Sequence, residues 1–389
     1  MKTMHLAIIT GIGITVFVIL GLMFLYLQTQ TNTNLKPVET KSNYSATNNS
    51  TSNEIHITKF SKLENLSQGG NSEYGFQWSH DGKFIVLREC PGTPPSCSLE
   101  IMKPDGEKVD KIEIPKQFIY VYGPKISPSD NSILFGGDYN TYNGSRFTTH
   151  SGLFKYVIKQ KNLVEVEDGQ VWSYDWAPDG NIVFVKYNDT VTCLAGVNTM
   201  ACANRIDDIH SIIWLANPNG TKIRKLYNGT DYFSPEYGGL SVSPDGTKIV
   251  VVNSMYVYSY KNLYRLAVLD VAKKEITPLT EYSKIYYSDP VWSPDGKSIV
   301  YTALDGGQVK GQAVGEEIGP AGWLGMISPD GSNSNNIIFG NTTSPYDPPP
   351  ISPAISPDGK TILFAIDYDF YNGPIQGPGI YEIELNKPL

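Results

Sequence analysis

The chain has 389 residues and a formal net charge of −8 at pH 7, with 40% hydrophobic and 18% charged residues. Proteins that bind the phosphate backbone of nucleic acids need a basic surface, so the acidic balance of this chain argues against such a partner, and we predict no nucleic-acid binding. The sequence also contains no Walker-type or dinucleotide-binding glycine loop, and we therefore predict no nucleotide site.

The N-terminal segment contains an apolar run from Leu6 to Leu27 without a single charged residue. A run of this length spans a bilayer as a helix. A cleaved secretory signal peptide is the alternative, but its apolar region would normally be shorter, and no clear small-residue cleavage site precedes Gln28. Lys2 precedes the run and favours a cytoplasmic N-terminus. We predict a transmembrane signal-anchor over residues 1–27 that contacts membrane lipid and places the rest of the chain on the extracytoplasmic side.

Residues 28–57 are rich in Asn, Thr and Ser and nearly free of large apolar side chains. Such a segment cannot bury a core, so it predicts a flexible tether. Asn-x-Ser/Thr sequons, which would be glycosylated only outside the cytoplasm, occur at Asn43, Asn48, Asn49, Asn65, Asn143, Asn188, Asn219, Asn228 and Asn341. Each sequon alone is weak, because an Asn-rich chain produces such tripeptides by chance.

A short phrase of the form Trp-Ser-Pro-Asp-Gly-Lys, followed by aliphatic residues, then recurs six times. Its copies lie at residues 78–86, 126–135, 176–184, 242–250, 292–300 and 355–364. Proline fixes φ, aspartate accepts local backbone hydrogen bonds and glycine supplies a positive φ, so each copy predicts a strand, a tight turn and a strand. The first copy has His80 in the proline position, and the second has Asp130 in the glycine position, which Asp tolerates.

Each copy is followed by a loop, a strand, a second tight turn and another strand. Four strands repeated around an axis are typical of a β-propeller, which leaves few open sheet edges. The last unit lacks a fourth strand, whereas residues 60–67, before the first hairpin, resemble the fourth strands of other units. We therefore predict an all-β fold: a six-bladed β-propeller over residues 58–389, closed by an N-terminal strand and preceded by one transmembrane helix.

The repeated phrase resembles the WD40-like repeat of TolB-type six-bladed propellers, and the resemblance covers about residues 60–389. It implies the six-bladed fold. It implies no single function, because such propellers serve in binding, scaffolding and catalysis.

Four cysteines fall into two local pairs, Cys90 with Cys97 and Cys193 with Cys202, each in a loop between the second and third strands of a blade. Disulfides suit an oxidising exterior. A zinc site is the alternative, but neither spacing is Cys-x-x-Cys and no histidine lies inside either loop. We predict two disulfides.

The two faces of the predicted propeller differ. One, the turn face, carries the tight turns between strands one and two and between strands three and four. The other, the loop face, carries the blade-to-blade connections and the longer loops between strands two and three, at about residues 136–152, 187–210, 253–262, 303–321 and 366–379. Elaboration of one face alone is expected of a rigid scaffold that presents binding loops.

Tyrosine is concentrated in the connections of the loop face, where its large contact area and polar tip favour recognition of a protein or a glycan. We select seven candidate binding residues: Tyr74, Tyr122, Tyr174, Tyr232, Tyr237, Tyr287 and Tyr346. The alternative for any one of them is packing between blades. The sequence therefore predicts a membrane-anchored extracytoplasmic module that binds a protein or glycan.

A local duplication raises the possibility of a cation site. The stretches 138–144 and 367–373 match, and their oxygen-bearing side chains at alternate positions are Asp138, Asn140, Asp367 and Asp369. Such side chains suit calcium, although the glycine comes one residue too late for a helix-flanked calcium loop. The alternative is a shared turn. We therefore predict no required cofactor, with calcium or another divalent cation as the lesser hypothesis.

Carboxylates near the predicted axial mouth suggest an alternative function. Asp175 and Asp289 lie just before or within inner strands, as do Glu73 and Asp347. Some six-bladed propeller enzymes hold a divalent metal on the axis, so a metal-dependent hydrolase or lyase is the second hypothesis. Residues 239–243 lack the final glycine of a Gly-x-Ser-x-Gly nucleophile motif. We favour the binding module over the enzyme.

Overall fold

The computed structural model describes residues 55–63, 75–89, 97–142, 144, 147–169, 171, 173–187, 210–233, 239–257, 261–305, 321–339, 351–366 and 379–389. Within these residues, no helix is both long and apolar enough to cross a bilayer. The expected anchor, residues 1–27, and nearly all of the expected tether lie outside them, so both stay predictions.

Within the described residues, six antiparallel sheets follow one another, five with four strands and one with five. They form blades 1 to 6. Blade 1 contains β2 (Phe76–Trp78), β3 (Ile85–Glu89), β4 (Ser98–Met102) and β5 (Lys108–Glu113). Blade 2 contains β6 (Phe118–Ile126), β7 (Ser132–Tyr142), β8 (Phe147–Val157) and β9 (Asn162–Asp168). Blade 3 contains β10 (Tyr174–Trp176), β11 (Ile182–Tyr187), β12 (Ser211–Ala216) and β13 (Lys222–Tyr227).

The second half of the ring repeats the arrangement. Blade 4 contains β14 (Tyr232–Phe233), β15 (Leu240–Val242), β16 (Lys248–Val257), β17 (Lys261–Asp270) and β18 (Glu275–Pro278). Blade 5 contains β19 (Ile285–Trp292), β20 (Ile299–Asp305), β21 (Ala321–Ile327) and β22 (Ser334–Phe339). Blade 6 contains β23 (Ile351–Ile355), β24 (Thr361–Ile366), β25 (Gly379–Leu385) and the first strand of the propeller, β1 (Ile57–Lys62).

The first strand completes the last blade. β1 pairs antiparallel with β25, and Lys62 lies opposite Tyr381. Lys59 Nζ contacts the carboxylates of Glu382 at 2.9 Å and Glu384 at 2.7 Å across this pair. The prediction of an all-β, six-bladed propeller closed by an N-terminal strand is confirmed, although the strand occupies residues 57–62 and thus begins earlier than the expected segment 60–67.

The core lies between neighbouring blades, and β11 shows how the sequence forms it. Successive side chains of a strand point to opposite faces of the sheet. Val183 and Val185 pack with blade 4, whereas Ile182 and Phe184 pack with blade 2. Because both faces are covered, residues 182–185 are an unbroken apolar run and show no alternation with polar residues.

The repeated hairpin depends on its serine as well as on its turn residues. In blade 4, Ser243 Oγ donates to Asp245 Oδ1 at 2.6 Å and accepts from Lys248 N at 2.9 Å. Gly246 N donates to Ser243 O at 2.8 Å, and Gly246 has a φ of 71°. The same two side-chain bonds are made by Ser79, Ser293 and Ser356. These serines are buried, so each one ties the turn to the strand that follows it.

Hairpins of adjacent blades also touch one another through the repeat. In three hairpins, a Cβ placed on the hairpin glycine would lie within 4 Å of the hairpin proline of the preceding blade. This relation joins Gly82 to Pro357, Gly246 to Pro178 and Gly296 to Pro244.

The two departures from the repeat meet at one such contact. Asp130, in the glycine position of blade 2, has a φ of 53°. Its Oδ1 accepts from His80 N at 2.8 Å, and its Oδ2 accepts from Asp81 N at 3.1 Å. A proline at position 80 would have no N–H to donate. The histidine and the aspartate therefore replace the glycine–proline contact together.

The double variant His80→Pro/Asp130→Gly carries the usual repeat residue at both positions. We expect its loss of unfolding free energy to be smaller than the sum of the losses in the two single variants. His80→Pro removes the donor to Asp130, and Asp130→Gly removes the acceptor, so the double variant loses that bond only once. Urea unfolding of wild type, the two single variants and the double variant should give a coupling free energy of about 1–2 kcal/mol between the two positions. His80→Pro combined with Gly180→Asp is the matched control, because a Cβ at Gly180 meets nothing within 4 Å. Additive effects for the 80/130 pair would contradict the coupling.

Candidate functional site

Two hairpins extend the loop face. The strands β7 and β8 of blade 2 have 11 residues each, and β16 and β17 of blade 4 have 10 each. The second and third strands of the other blades have 5 to 7 residues. The sequence predicted irregular loops at 136–152 and 253–262. That prediction is wrong for most of both segments, because the ladder continues through them.

Exposed apolar side chains are distributed unevenly. The large hydrophobic residues that are exposed in the described part of the chain are Val109, Tyr120, Tyr142, Ile223 and Met255. Tyr142 and Met255 lie on the extended hairpins, with exposures of 61% and 41%, and Tyr120, at 50%, pairs with the extended part of β7. Val109 and Ile223 lie on the outermost strands of blades 1 and 3. Three of these side chains thus belong to the loop face.

Most of the candidate tyrosines within the described residues are buried. Tyr122, Tyr174 and Tyr287 are 3%, 4% and 6% exposed. Tyr174 OH donates to Tyr122 O at 2.7 Å and accepts from Gly136 N at 2.6 Å, so it joins blade 3 to blade 2. In this structure the three rings pack between blades, which was the alternative stated for individual tyrosines.

The other four candidate tyrosines do not test recognition by the loop face, which stays a prediction. Tyr232 is half-buried and stacks on Tyr187, with ring centroids 5.3 Å apart. Burial raises the pKa of the Tyr187 hydroxyl, which donates to Phe233 O at 3.0 Å. The other candidates, Tyr74, Tyr237 and Tyr346, lie outside the described residues.

The duplicated segment forms a strand in blade 2. Asp138 and Asn140 belong to β7, whereas Gly144, with a φ of 88°, lies between β7 and β8, so the alternative of a shared turn stays open for this copy. Asn140 Oδ1 accepts from Thr149 Oγ1 at 2.9 Å. Asp367 and Asp369 lie outside the described residues, and within those residues no group of three or more His, Cys, Asp or Glu side chains is arranged to hold a metal ion. A cation at this segment stays a prediction.

The cysteine pairs fall largely outside the described residues, which contain Cys97 but not Cys90, Cys193 or Cys202. Cys97 is disulfide-bonded. Its pairing with Cys90, and the second disulfide, stay predictions.

Asp175 links two inner strands. It is 8% exposed, and its Oδ1 accepts from Trp176 N while its Oδ2 accepts from Val242 N of blade 4, both at 2.9 Å. Gln77 occupies the same position in blade 1, and its Oε1 accepts from Ile126 N of blade 2 at 2.6 Å. The axial edge of an inner strand has no strand partner, so its amides need other acceptors. Both side chains supply them.

Asp289 has a comparable role between blades 5 and 6. It lies at a β-bulge directly before a proline and has a φ of 48°. Its Oδ2 accepts from Ser288 Oγ at 3.1 Å and from Ser352 N at 3.4 Å. Gly123 in blade 2 and Ser352 in blade 6 also precede a proline and have φ values of 56° and 52°. The recurrent X-Pro pair before the hairpin serine is the sequence signal of these bulges.

A polar cluster lies where blade 3 passes into blade 4. Asp231 Oδ2 accepts from Tyr227 OH, and its Oδ1 accepts from Asn253 Nδ2 at 2.7 Å. Arg265 Nη2 is 3.8 Å from Asp231 Oδ1, and the Arg265 guanidinium lies 4.2 Å from the centroid of the Tyr282 ring. Burial and the bond to Asp231 raise the pKa of Tyr227. We call these five residues the Asp231 cluster.

No sequence motif marks the Asp231 cluster. Its members come from β13, the connection after it, β16, β17 and the turn after β18. The register of the β16–β17 pair, which sets Asn253 opposite Arg265, brings two of them together. Such a register is a property of the folded sheet and is not evident from spacing along the chain.

Two carboxyl groups of blade 1, those of Glu89 and Glu100, lie beside the same lysine. Lys108 Nζ is 2.8 Å from Glu100 and 3.8 Å from Glu89. A hydrogen bond with Glu100, together with burial, raises the pKa of Glu89. Burial acts to raise the pKa of Glu100, but hydrogen bonds from Glu89 and Lys108 outweigh it and lower that pKa. A proton on Glu89 therefore stabilises the pair.

Glu89→Gln should remove a pH dependence of stability. The folded protein binds the Glu89 proton more tightly than the unfolded chain, so this contribution is present below the unfolded pKa of about 4.3 and is lost as pH rises through the folded value. The glutamine donates at every pH. Urea unfolding from about pH 4 to pH 7 should show wild type losing stability relative to the variant. Glu113→Gln, at an exposed carboxylate of the same blade, is the control, and parallel profiles for Glu89→Gln would refute the assignment.

Asp175→Asn should destabilise the protein irrespective of metal. The amide leaves one of two buried backbone N–H groups without an acceptor, which costs about 1–3 kcal/mol. Urea unfolding should give the same difference in unfolding free energy between the variant and wild type with and without a chelator. Asp179→Asn, in the exposed turn of the same blade, should have little effect. A difference that disappears in chelator would instead indicate an axial metal site.

No protein-family model matches the chain, and no curated protein matches its sequence. Among solved structures, it is similar to a protein described as TolB from Agrobacterium tumefaciens, at 17% identity over 81% of this chain and 90% of that chain, with a TM-score of 0.47. It is also similar to an oligogalacturonate lyase in complex with manganese, at 15% identity over 85% of this chain and 95% of that chain, with a TM-score of 0.47. A third similar structure is Kuenenia stuttgartiensis hydrazine synthase, at 16% identity over 76% of this chain and 75% of that chain, with a TM-score of 0.48.

Likenesses of this strength carry no argument about function. The strand order of the chain itself establishes the architecture that the repeat implied. The chain is a six-bladed β-propeller, and the structures similar to it include one described as TolB.

Proposed function

We propose that the chain is a membrane-anchored, extracytoplasmic binding module that holds a protein or glycan partner on its loop face. The observation that carries this proposal is the pair of extended hairpins in blades 2 and 4 with Tyr120, Tyr142 and Met255 exposed on or beside them. Tyrosine and methionine supply large, adaptable contact surfaces. The opposite face ends in tight turns whose polar groups bond to one another.

A propeller suits this role because its blades hold one another in place. The apolar residues of each blade pack against both neighbours, and side chains such as Tyr174 and Asp175 add hydrogen bonds from blade to blade. Binding to a preorganised surface avoids much of the entropy cost of ordering the contact residues. The hairpins therefore present their side chains on a rigid base.

The alternative, a metal-dependent hydrolase or lyase at the axial mouth, requires carboxylates that are free to bind a cation or accept a proton. Both oxygens of Asp175 accept backbone N–H groups, and Asp289 accepts from its own blade and from the next. These contacts support a structural role for both residues. Glu73 and Asp347 lie outside the described residues. No observation favours the enzyme over the binding module.

A photo-crosslinking amino acid placed at exposed positions of the full chain in its native membrane tests the proposal. Positions 120, 142 and 255 should each give a discrete crosslinked product, because a partner on the loop face lies against them. Positions 109 and 223 are matched controls, since they are also exposed and apolar in the wild type but lie on outermost strands. Equal crosslinking at the control positions, or none at the three hairpin positions, would count against a loop-face partner.

A further inference from the structure

An asparagine or aspartate directly followed by glycine, here called an Asx-Gly pair, is a chemically labile point of a protein chain. Glycine has no Cβ, so its amide nitrogen can reach the side-chain carbonyl carbon of the residue before it. In an asparagine, this attack forms a bond from the glycine nitrogen to Cγ and expels the side-chain amide as ammonia, which takes up the glycine N–H proton. Water then opens the cyclic imide to aspartate or isoaspartate. A glycine N–H that is held in a hydrogen bond cannot turn to make the attack.

The propeller holds nearly all of these glycines. The described part of the chain contains ten Asx-Gly pairs, and in nine of them the glycine N–H donates to a backbone carbonyl oxygen. In the tight turns the acceptor lies three residues earlier, as in the bond from Gly246 N to Ser243 O at 2.8 Å. The nine glycines are Gly82, Gly106, Gly169, Gly180, Gly220, Gly246, Gly296, Gly331 and Gly359. The turn chemistry of the repeat therefore also protects its labile pairs.

Gly229 is the exception. Its N–H has no hydrogen-bond partner among the described residues, and the exposed side chain of Asn228 before it has none there either. The two residues lie between β13 and β14, in the connection that joins blade 3 to blade 4 on the loop face. No hydrogen bond restrains the nitrogen that attacks or the side chain that it attacks.

The same tripeptide, Asn-Gly-Thr, occurs in the tight turn of blade 3 at residues 219–221, where it is held. Asn219 Oδ1 accepts from Thr221 N at 3.1 Å, and Gly220 N donates to Asn217 O at 2.9 Å. Asn219 is exposed, as Asn228 is. Exposure and local sequence thus match at the two sites, whereas the hydrogen bonds differ.

We propose that Asn228 is a site of spontaneous deamidation in the folded protein, through a cyclic imide formed with Gly229 N. Asn219 is protected, because imide formation there requires a local opening of its turn that breaks hydrogen bonds. The reaction at Asn228 consumes only water and needs no partner on the loop face. It is therefore independent of the function proposed above.

Deamidation changes the connection between blades 3 and 4. Both products carry a carboxylate at position 228, close in the chain to Asp231. The isoaspartate product also adds one carbon to the main chain between Tyr227 and Asp231, whose side chains are hydrogen-bonded to each other. The loop face consequently gains negative charge beside blade 4 as the protein ages.

Peptide mapping by mass spectrometry, after incubation of the purified full chain at mildly alkaline pH, tests the proposal. Asn219 and Asn228 both lie in sequons, and an attached glycan would block the reaction, so the experiment uses the double variant Thr221→Ala/Thr230→Ala. Within the described residues, neither threonine side chain makes a hydrogen bond. We expect Asn228 to deamidate about 10-fold or more faster than Asn219, because only the latter must wait for its turn to open.

The unfolded chain is the control for local sequence. In concentrated urea the hydrogen bonds of the turn are lost, so the two Asn-Gly pairs should deamidate at similar rates. Asn228→Gln, whose longer side chain does not form the five-membered imide, should leave the peptide around position 228 unmodified. Gly229→Ala is unsuitable as a control, because a Cβ on Gly229 would lie 2.0 Å from the Tyr227 hydroxyl oxygen.

The rates in the two states decide the proposal. Faster deamidation of Asn228 than of Asn219 in the folded protein, with similar rates in urea, supports it. Equal rates in the folded protein, or an Asn228 that stays intact there while it reacts in urea, would overturn it. A difference between the two sites that persists unchanged in urea would overturn it as well, because hydrogen bonding would then not be the cause.

Discussion

The pairing of β1 with β25 is the interaction on which the rest of the structure depends. It joins the two ends of the propeller, with Lys62 opposite Tyr381. Closing so long a chain segment costs entropy. Packing of the Phe60 ring helps to offset this cost, since its centroid lies 6.1 Å from that of Phe364 and 5.6 Å from that of Tyr381. Without β1, β25 would have an open edge. With the ring closed, every blade has two neighbours, and both faces of its sheet are covered.

Covering both faces changes the role of polar residues near the axis. Trp176 Nε1 donates to Lys125 O at 3.0 Å, and Trp292 Nε1 donates to Ser241 O at 3.1 Å, so even these packing residues join one blade to the blade before it. Asp175 joins its blade to the blade after it, because its carboxylate accepts from Val242 N of blade 4. Side chains that line the inner strands are therefore engaged in holding the ring together. Freedom to contact a partner lies farther out, on the hairpins that extend beyond the ladder common to all blades.

The sequence predicted the fold because each repeat contains its own turn chemistry. Turn type is a local property, and Asp130 took the left-handed conformation expected of it. The site was less predictable. Tyr174 and Tyr120 are both tyrosines near an inner strand, yet one is 4% and the other 50% exposed. Which face of a strand meets a neighbouring blade, and which residues stand opposite one another, depend on register and on contacts between blades. The Asp231 cluster arises in the same way.

Hydroxyl-radical footprinting of the full chain, in its native membrane and after purification, tests a loop-face partner most directly. Tyrosine and methionine side chains react readily when exposed, and the described loop face presents Tyr120, Tyr142 and Met255. A partner there predicts that these three react less in the membrane than in the purified protein, while Val109 and Ile223 on the outermost strands react equally in both. Protection of the outermost strands or of the turn face, with the hairpin residues unchanged, would contradict a recognition face at blades 2 and 4.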